Sequence, residues 1–186
     1  MLVNSRLAVL ASGQGTILEA ILAADIEPAV VLADRACRAL TVAEGALVPG
    51  ALVERESFGP RFDRAGYTAR VVDTLESYKV DTVAMAGFMT VLTEAMFDTY
   101  GGRILNTHPS LLPAFPGAHA VADALAAGVA ITGCTVHLAT LQVDHGPVLA
   151  QEAVAIEPGD TVESLHERIK AVERRLYPAV IKEFCA

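Results

Sequence analysis

Two short polar segments of this sequence contain side chains that could carry out a reaction. The first contains Asn106 and His108, which follow an apolar segment and precede a proline-rich stretch. An amide can donate a hydrogen bond to a developing oxyanion, and an imidazole can supply a proton. The second contains Asp144 in a predicted turn, and a carboxylate beside an imidazole favours the imidazolium. Each residue could instead only stabilise its own loop, so the residue types alone leave both interpretations open.

A glycine-containing turn near the amino terminus could bind a phosphate. The segment 12–16, with Gly13 and Gly15, connects a predicted strand to a predicted helix, and free N–H groups at a helix start bind phosphates. Asp34 lies where dinucleotide-binding folds place a ribose-binding acid, but Leu18 replaces the third glycine of the G-x-G-x-x-G fingerprint. A structural turn, a phosphate site and a dinucleotide site are therefore three open interpretations.

Other chemistries find little support in the sequence. The motifs H-E-x-x-H, P-C-x-x-C and G-x-S-x-G are missing, which disfavours zinc hydrolysis and a serine nucleophile. We expect no metal. Cys134 follows a glycine in an apolar segment, so we expect an inert core thiol there. His137 is expected in the core, and His145 and His166 on the surface.

The composition indicates which kinds of partner the protein can bind and in which compartment it acts. The net charge of −8 disfavours nucleic acid as a partner, because phosphates are repelled. No apolar stretch has the length of a membrane span. The three cysteines form no C-x-x-C pair, which indicates a reducing compartment. We therefore expect a cytoplasmic protein that acts on small molecules. We also expect a monomer or homodimer.

Alternating apolar segments predict an α/β fold in one domain covering residues 1–186. We expect a Rossmann-like, mostly parallel sheet with helices on both faces and an antiparallel addition in the C-terminal half. Strands are predicted at residues 7–11, 28–33, 51–53, 82–86, 103–105, 135–139 and 148–156, helices at 17–24, 40–45, 65–78, 93–99 and 120–127, and loops at 58–64 and 106–117.

A last helix is predicted after Asp160, which could cap it together with Glu163. Pro178 should kink or end this helix. Apolar residues at helical spacing predict a stripe that packs on the sheet. The stripe consists of Val162, Leu165, Ile169, Val172 and Leu176.

Taken together, several segments resemble the phosphoribosylglycinamide (GAR) formyltransferases of purine synthesis. The order N-x-H-P-S-L-L-P and then D-x-G-P is highly specific, and the resemblance covers nearly the whole chain. The matching segments are residues 86–89, 105–117, 132–137 and 144–148, with residues 165–178 similar to the family's final helix.

The resemblance implies a transferase that moves the formyl group of 10-formyltetrahydrofolate to the GAR amine, in de novo purine (IMP) synthesis. The amine would attack the formyl carbon directly and form an oxyanionic tetrahedral intermediate. Asn106 and protonated His108 would stabilise the oxyanion, and Asp144 would keep His108 charged. GAR would be bound by Gly15, Thr16, Ile17, Lys170 and Glu173. The folate would be bound by Arg64, Met89, Thr90, Val91, Leu92, Thr140, Leu141 and Val143, together with Asn106 and Asp144.

Two positions depart from the family pattern. Ile17 replaces an asparagine found in many members, and Thr90 replaces an arginine that commonly follows the methionine. These departures leave open a relative that binds its ligands without turnover. Also open are a formyltransferase acting on another amine, such as the one acting on methionyl-tRNA, a formyltetrahydrofolate hydrolase, and a dinucleotide-dependent oxidoreductase using Gly13, Gly15 and Asp34.

Overall fold

The computed structural model describes residues 5–57 and 59–186 of the 186-residue chain. Within them lie seven strands and six helices that alternate over most of the chain. The strands are β1 (Leu7–Ala11), β2 (Val30–Ala33), β3 (Gly50–Leu52), β4 (Thr82–Met85), β5 (Ile104–His108), β6 (Ile131–Leu138) and β7 (Val148–Ala155). The helices are α1 (Thr16–Ala23), α2 (Arg38–Gly45), α3 (Arg64–Ser77), α4 (Glu94–Tyr100), α5 (Ala120–Ala126) and α6 (Val162–Cys185).

All the strands belong to one sheet in the order β3-β2-β1-β4-β5-β6-β7. The pairs from β3 to β5 are parallel, and the β5–β6 and β6–β7 pairs are antiparallel. The predicted Rossmann-like sheet with its antiparallel addition is therefore confirmed. β1 is buried at every position because helices cover both faces of a parallel sheet. Val9 faces α1, α2 and α6, whereas Leu10 faces α3 and α4.

β5 and β6 are longer than predicted, and this changes where the candidate site residues lie. β5 continues through Asn106 to His108, which were predicted to begin a loop, and β6 begins at Ile131 instead of Thr135. The antiparallel ladder pairs Asn106 with His137 and His108 with Thr135. The prediction was wrong because β6 supplies backbone partners beyond the end of β4, and local sequence carries no signal of that partner.

The amino-terminal cap of α6 also differs from the prediction. The cap is Thr161, whose side chain accepts the Ser164 N–H, while the Ser164 hydroxyl accepts the Thr161 N–H. Asp160 and Glu163 were therefore the wrong pair. The Asp160 carboxylate instead accepts a hydrogen bond from Arg168 at 2.8 Å, so the threonine one position later takes the capping role.

The sequence predicted that Pro178 would kink or end α6; the helix does not end there but continues to Cys185. Pro178 is buried, and its packing offsets the backbone hydrogen bond that a proline cannot make. Of the predicted apolar stripe, Leu165 and Ile169 are buried, but Val162 is 40% exposed in the first turn of the helix. In the predicted loop 58–64, Phe58 lies outside the described residues.

Two buried threonines of β6 give a matched test of hydrogen bonding in the core. The Thr135 hydroxyl donates to the Ser110 carbonyl at 2.6 Å and accepts the Leu112 N–H at 3.0 Å. The Thr132 hydroxyl is buried with no hydrogen-bond partner in residues 5–57 and 59–186. A buried hydroxyl without a partner lowers the free energy of unfolding. Removing a hydroxyl that has partners lowers it too, because those partners are left without a hydrogen bond.

We therefore expect Thr132→Val to raise the free energy of unfolding by about 1 kcal/mol, and Thr135→Val to lower it by about 1–3 kcal/mol. Urea unfolding of both variants and the wild type measures this difference. Destabilisation of both variants to the same extent would contradict the assignment of Thr132 as unpaired.

Candidate active site

The candidate catalytic residues meet where the parallel part of the sheet joins its antiparallel part. Asn106 and His108 lie on β5, and Asp144 lies in the loop between β6 and β7. Asn106 also pairs with Met85 at the carboxyl end of β4. Open α/β sheets bind ligands at the carboxyl ends of their parallel strands. The fold therefore brings the three side chains to a position suited to a ligand.

His108 is held between a backbone carbonyl and a carboxylate. Its Nε2 atom lies 2.7 Å from the Phe115 carbonyl oxygen, and its Nδ1 atom lies 3.4 Å from Asp144 Oδ2. A carbonyl oxygen only accepts, so Nε2 carries a proton and donates it. The His108 and Asp144 side chains are 5% and 6% exposed. The Asp144 carboxylate therefore faces the second ring nitrogen of His108 inside the protein.

The backbone around Asp144 fixes the position of its carboxylate. Asp144 has a φ of 59°, in the left-handed region that aspartate and asparagine enter more readily than most residues. Its Oδ2 atom also accepts the Gly117 N–H at 2.8 Å. A Cβ atom at Gly146 would lie 1.7 Å from the Leu138 carbonyl oxygen. Only glycine therefore fits the close approach of this loop to the end of β6.

His137 belongs to this site, although the sequence indicated only a core residue. Its Nδ1 atom lies 3.0 Å from the Leu138 carbonyl oxygen, which assigns the ring proton to Nδ1 and leaves Nε2 as an acceptor. The Asn106 amide nitrogen lies 3.3 Å from Nε2 and donates to it. Burial lowers the pKa of His137. The Leu138 carbonyl and the Asp144 charge would each raise this pKa, but the effect of burial is larger. A neutral His137 therefore orients the Asn106 amide.

A mostly apolar cavity adjoins Asn106 and Asp144. Of the residues assigned to the folate, all except Arg64 line it, and Arg64 is exposed at the first turn of α3. Apolar side chains on its lining are also exposed, with Met89 at 65% and Leu141 at 52%, as expected of a surface that an organic ligand covers. The lining residues are Met85, Phe88, Met89, Thr90, Val91, Leu92, Phe97, Asn106, His137, Ala139, Thr140, Leu141, Val143 and Asp144.

The predicted phosphate loop leads into α1. Gly15 is the N-cap of this helix with a φ of 74°, and a Cβ there would lie 2.9 Å from the Ala39 Cα atom, so the turn requires glycine. The Ile17 side chain is buried in the core against the sheet. Thr16 and Ile17 therefore offer a ligand backbone N–H groups of the first helical turn, and an isoleucine at position 17 is compatible with phosphate binding through the backbone.

The two α6 residues assigned to the substrate have different surroundings. Lys170 lies 2.7 Å from a carboxylate oxygen of Glu167. Glu173 Oε1 accepts a hydrogen bond of 2.5 Å from the hydroxyl of Thr107, the residue between Asn106 and His108. Burial raises the pKa of the Glu173 carboxyl group. Thr107 thus connects the strand of the candidate catalytic residues to α6, a link that the sequence pattern did not indicate.

The formyl transferase family model matches residues 5–181 of the chain. This chain belongs to the formyl transferase family. It is 46% identical over 182 residues to the phosphoribosylglycinamide formyltransferase of Mycobacterium tuberculosis, covering 95% of this chain and 83% of the relative. It is 36% identical over 185 residues to the Bacillus subtilis protein of the same name, covering 96% and 93%.

Solved structures of the formyl transferase family have the same fold. The crystal structure of glycinamide ribonucleotide transformylase 1 from Symbiobacterium toebii superposes with a TM-score of 0.90 at 42% identity, covering 97% of this chain and 87% of that one. Phosphoribosylglycinamide formyltransferase from Bacillus halodurans superposes with a TM-score of 0.88 at 38% identity, covering 98% and 96%. The family resemblance seen in the sequence motifs is confirmed.

In this formyl transferase the features of a dinucleotide site have other roles. Asp34 is fully buried, and its carboxylate accepts hydrogen bonds from Thr90 at 2.7 Å and from Arg35 at 3.0 Å. It therefore does not face a ribose. Within residues 5–57 and 59–186, no three His, Cys, Asp or Glu side chains are grouped to hold a metal ion. In the same part of the chain, no helix is long and apolar enough to cross a membrane.

Proposed function

We propose that this chain transfers a formyl group from 10-formyltetrahydrofolate to the amine of GAR, in de novo purine (IMP) synthesis. The observation that carries the proposal is the meeting of Asn106, His108 and Asp144 beside an apolar cavity. The proposal is supported by the relatives, which are named for this reaction and share 36–46% of their residues with the chain. Formyl transfer to another amine is the second candidate, because the same three groups would serve it.

Asn106 and His108 would act on the oxygen of the formyl group. As the substrate amine forms its bond to the formyl carbon, the carbonyl electron pair moves to oxygen. An amide nitrogen has two N–H groups, so Asn106 can donate one to His137 and the other to this oxyanion. When the bond from carbon to the donor nitrogen breaks, the carbonyl re-forms. The proton lost by the amine goes to the departing nitrogen, either through a bound water or through His108.

His108 would contribute mainly through its charge in the arrangement seen here. Both ring nitrogens have partners, the Phe115 carbonyl and Asp144. An imidazolium so held would stabilise a nearby oxyanion electrostatically. Direct donation to the oxyanion would require the contact between His108 and Phe115 to open when the substrates bind.

The proposed reaction needs no protein nucleophile, and the buried thiol on β6 is unsuited to that role. Cys134 on β6 is 1% exposed, and burial raises the pKa of its thiol to about 12. The thiolate is the reactive form of cysteine, so a group with this pKa is inert near neutral pH. The absence of the G-x-S-x-G motif from the sequence agrees with direct attack by the substrate amine.

A formyl-transfer assay tests the proposal. Purified protein is mixed with 10-formyltetrahydrofolate and GAR, and formation of formyl-GAR and tetrahydrofolate is followed. We expect turnover that requires both substrates. Tetrahydrofolate release at the same rate without GAR would indicate a hydrolase. Turnover with methionyl-tRNA or another amine but not GAR would favour the second candidate, and binding of both substrates without turnover would indicate a non-catalytic relative.

We further propose that the protein acts in the cytoplasm, as a monomer or homodimer. The location is supported by the three cysteines, none of which forms a disulfide: Cys37 and Cys185 are partly buried and Cys134 is buried. A reducing compartment keeps such thiols reduced. Sedimentation of the purified protein measures the oligomeric state.

Thr107 provides a test of the substrate-binding role of Glu173. Burial raises the pKa of Glu173, and hydrogen bonding from Thr107 together with the charges of Lys170 and Arg174 partly opposes this rise. The carboxylate that would accept hydrogen bonds from GAR exists only above this raised pKa. Thr107→Val removes a group that stabilises the carboxylate, so the pKa should rise further.

We therefore expect Thr107→Val to move the acid limb of kcat/KM for GAR to higher pH, and Thr107→Ser to recover most of the wild-type profile. Steady-state rates across the pH range at varied GAR concentration measure this. A profile that moves to lower pH, or that moves equally in the serine variant, would argue against the link between Thr107 and Glu173.

A further inference from the structure

A fully buried carboxylate lies behind the wall of the cavity. Asp34 directly follows β2 and has no exposed surface. Its Oδ2 atom accepts a 2.7 Å hydrogen bond from the Thr90 hydroxyl, and its two oxygens lie 3.0 and 3.3 Å from the Arg35 guanidinium nitrogens. Burial alone would raise the pKa of Asp34, but hydrogen bonds from Arg35, Thr90 and Ser12 outweigh it and lower the pKa. The carboxylate is therefore charged, and it forms a strong acceptor inside the protein.

The partners of this carboxylate come from two different loops. Thr90 belongs to the segment 86–93 between β4 and α4, which supplies Met89, Thr90, Val91 and Leu92 to the cavity wall. Ser12 begins the segment 12–15 between β1 and α1, the predicted phosphate loop. The Ser12 hydroxyl accepts the Met89 N–H at 2.9 Å, and the Ser12 N–H donates to the Gly87 carbonyl at 3.2 Å. The two loops are thus joined directly and through Asp34.

The orientation of Thr90 indicates what its side chain does. Thr90 is 3% exposed, and its hydroxyl contacts Asp34 and the Arg55 guanidinium, the latter at 3.4 Å. These polar contacts lie inside the protein, so the hydroxyl is used to hold the loop. Its neighbours Met89 and Val91 are 65% and 47% exposed. The buried threonine is therefore the anchor of a loop whose flanking side chains face outward.

We propose that Thr90 is a positioning residue for the formyl donor: its hydrogen bond to Asp34 fixes the 86–93 loop against the phosphate loop and so presets the cavity wall. This inference rests on the proposed function, because it takes the cavity to be the donor site. A loop held in its binding conformation before the ligand arrives costs less to order on binding. Loss of the anchor should therefore weaken donor binding more than it slows the chemical step.

Three variants and the wild type test this inference. Thr90→Val removes the hydroxyl at nearly constant shape, and Thr90→Ser keeps it. As a control, Thr74→Val removes a threonine hydroxyl that donates to the Arg70 carbonyl within α3. The dissociation constant of 10-formyltetrahydrofolate is measured by calorimetry, and KM for donor and GAR by steady-state kinetics. Hydrogen exchange of the Met89 amide reports the order of the loop.

We expect Thr90→Val to raise the donor dissociation constant and KM about tenfold, the effect of one lost hydrogen bond to a charged group. kcat should change less, and the Met89 amide should exchange faster. Thr90→Ser should recover most of the affinity, and Thr74→Val should match the wild type. Equal donor affinity in Thr90→Val and wild type, or equal impairment of the serine and valine variants, would overturn the inference.

The calorimetric measurement separates this inference from the proposed function. A wild-type protein that binds the donor without turning over GAR contradicts the proposed reaction, while the comparison of donor affinities still decides the role of Thr90. Should Thr90→Val fail to fold, Ser12→Ala replaces it, because it removes the acceptor of the Met89 N–H. The same loss of donor affinity is then expected, and an unchanged affinity would overturn the inference.

Discussion

Replacing Asp144 by asparagine should lower kcat for formyl transfer by about 10²–10⁴-fold. The neutral amide can no longer compensate a positive charge on His108, whose Nδ1 atom lies 3.4 Å from Asp144 Oδ2. Without the imidazolium, the oxyanion loses its main electrostatic partner. The pH dependence of the rate should also change, because the variant lacks the carboxylate that faces His108 Nδ1. Initial rates at saturating substrates between about pH 5 and pH 10, a range that includes the ordinary pKa of histidine, measure both effects.

We expect the Asp144→Asn variant to keep its fold, so that its loss of rate reports on the chemical step and not on the stability of the protein. Asparagine tolerates the left-handed φ of 59° at position 144, and its amide oxygen can still accept the Gly117 N–H that now bonds to Asp144. The thermal midpoint should therefore stay close to that of the wild type. A rate within tenfold of wild type together with an unchanged pH profile would remove Asp144 from the mechanism.

Replacing Asn106 by alanine should lower kcat by about 10²–10³-fold, the usual loss when one oxyanion donor is removed. The amide is oriented by the neutral His137, so its second N–H has a defined direction before the substrates bind. Alanine removes both N–H groups and leaves the His137 acceptor without its partner. Single-turnover rates with both substrates saturating isolate the chemical step from binding.

The contrast between kcat and KM decides the role of Asn106. A donor that acts on the developing oxyanion is needed in the transition state, so KM for GAR should change little. Thermal unfolding controls for damage to the core around β5. A variant that loses GAR affinity but keeps kcat would make Asn106 a binding residue instead.

The fold was largely predictable because its signals are local. Apolar strands alternating with amphipathic helices need only a window of sequence to be recognised, and the parallel strands from β1 to β4 were found within a residue or two of their bounds. β5 and β6 were not, because the extension of β5 depends on its pairing with β6, and the extension of β6 depends on its pairing with β7. Cross-strand pairing joins residues that are distant in the chain, and no local pattern encodes it.

The candidate site was predictable to the extent that its residues form a contiguous motif. Asn106 and His108 stand in one short segment, and the Asp144 turn has its own pattern, so motif order was enough to select them. His137 and Thr107 were missed because their partners, Asn106 and Glu173, come from other elements. A buried histidine on an apolar strand has the same sequence signature whether or not it touches a reactive group.

The residues assigned to each substrate come from both halves of the chain. The cavity combines the loop after β4 with the ends of β5 and β6, and the GAR residues combine the start of α1 with Lys170 and Glu173 near the middle of α6. If Lys170 and Glu173 bind GAR as proposed, a ribosome-bound chain that still lacks α6 would have no complete acceptor site, even with its first strands folded. Substrates would then stabilise only the completely folded protein, because they would bind the native state and not the incomplete chain.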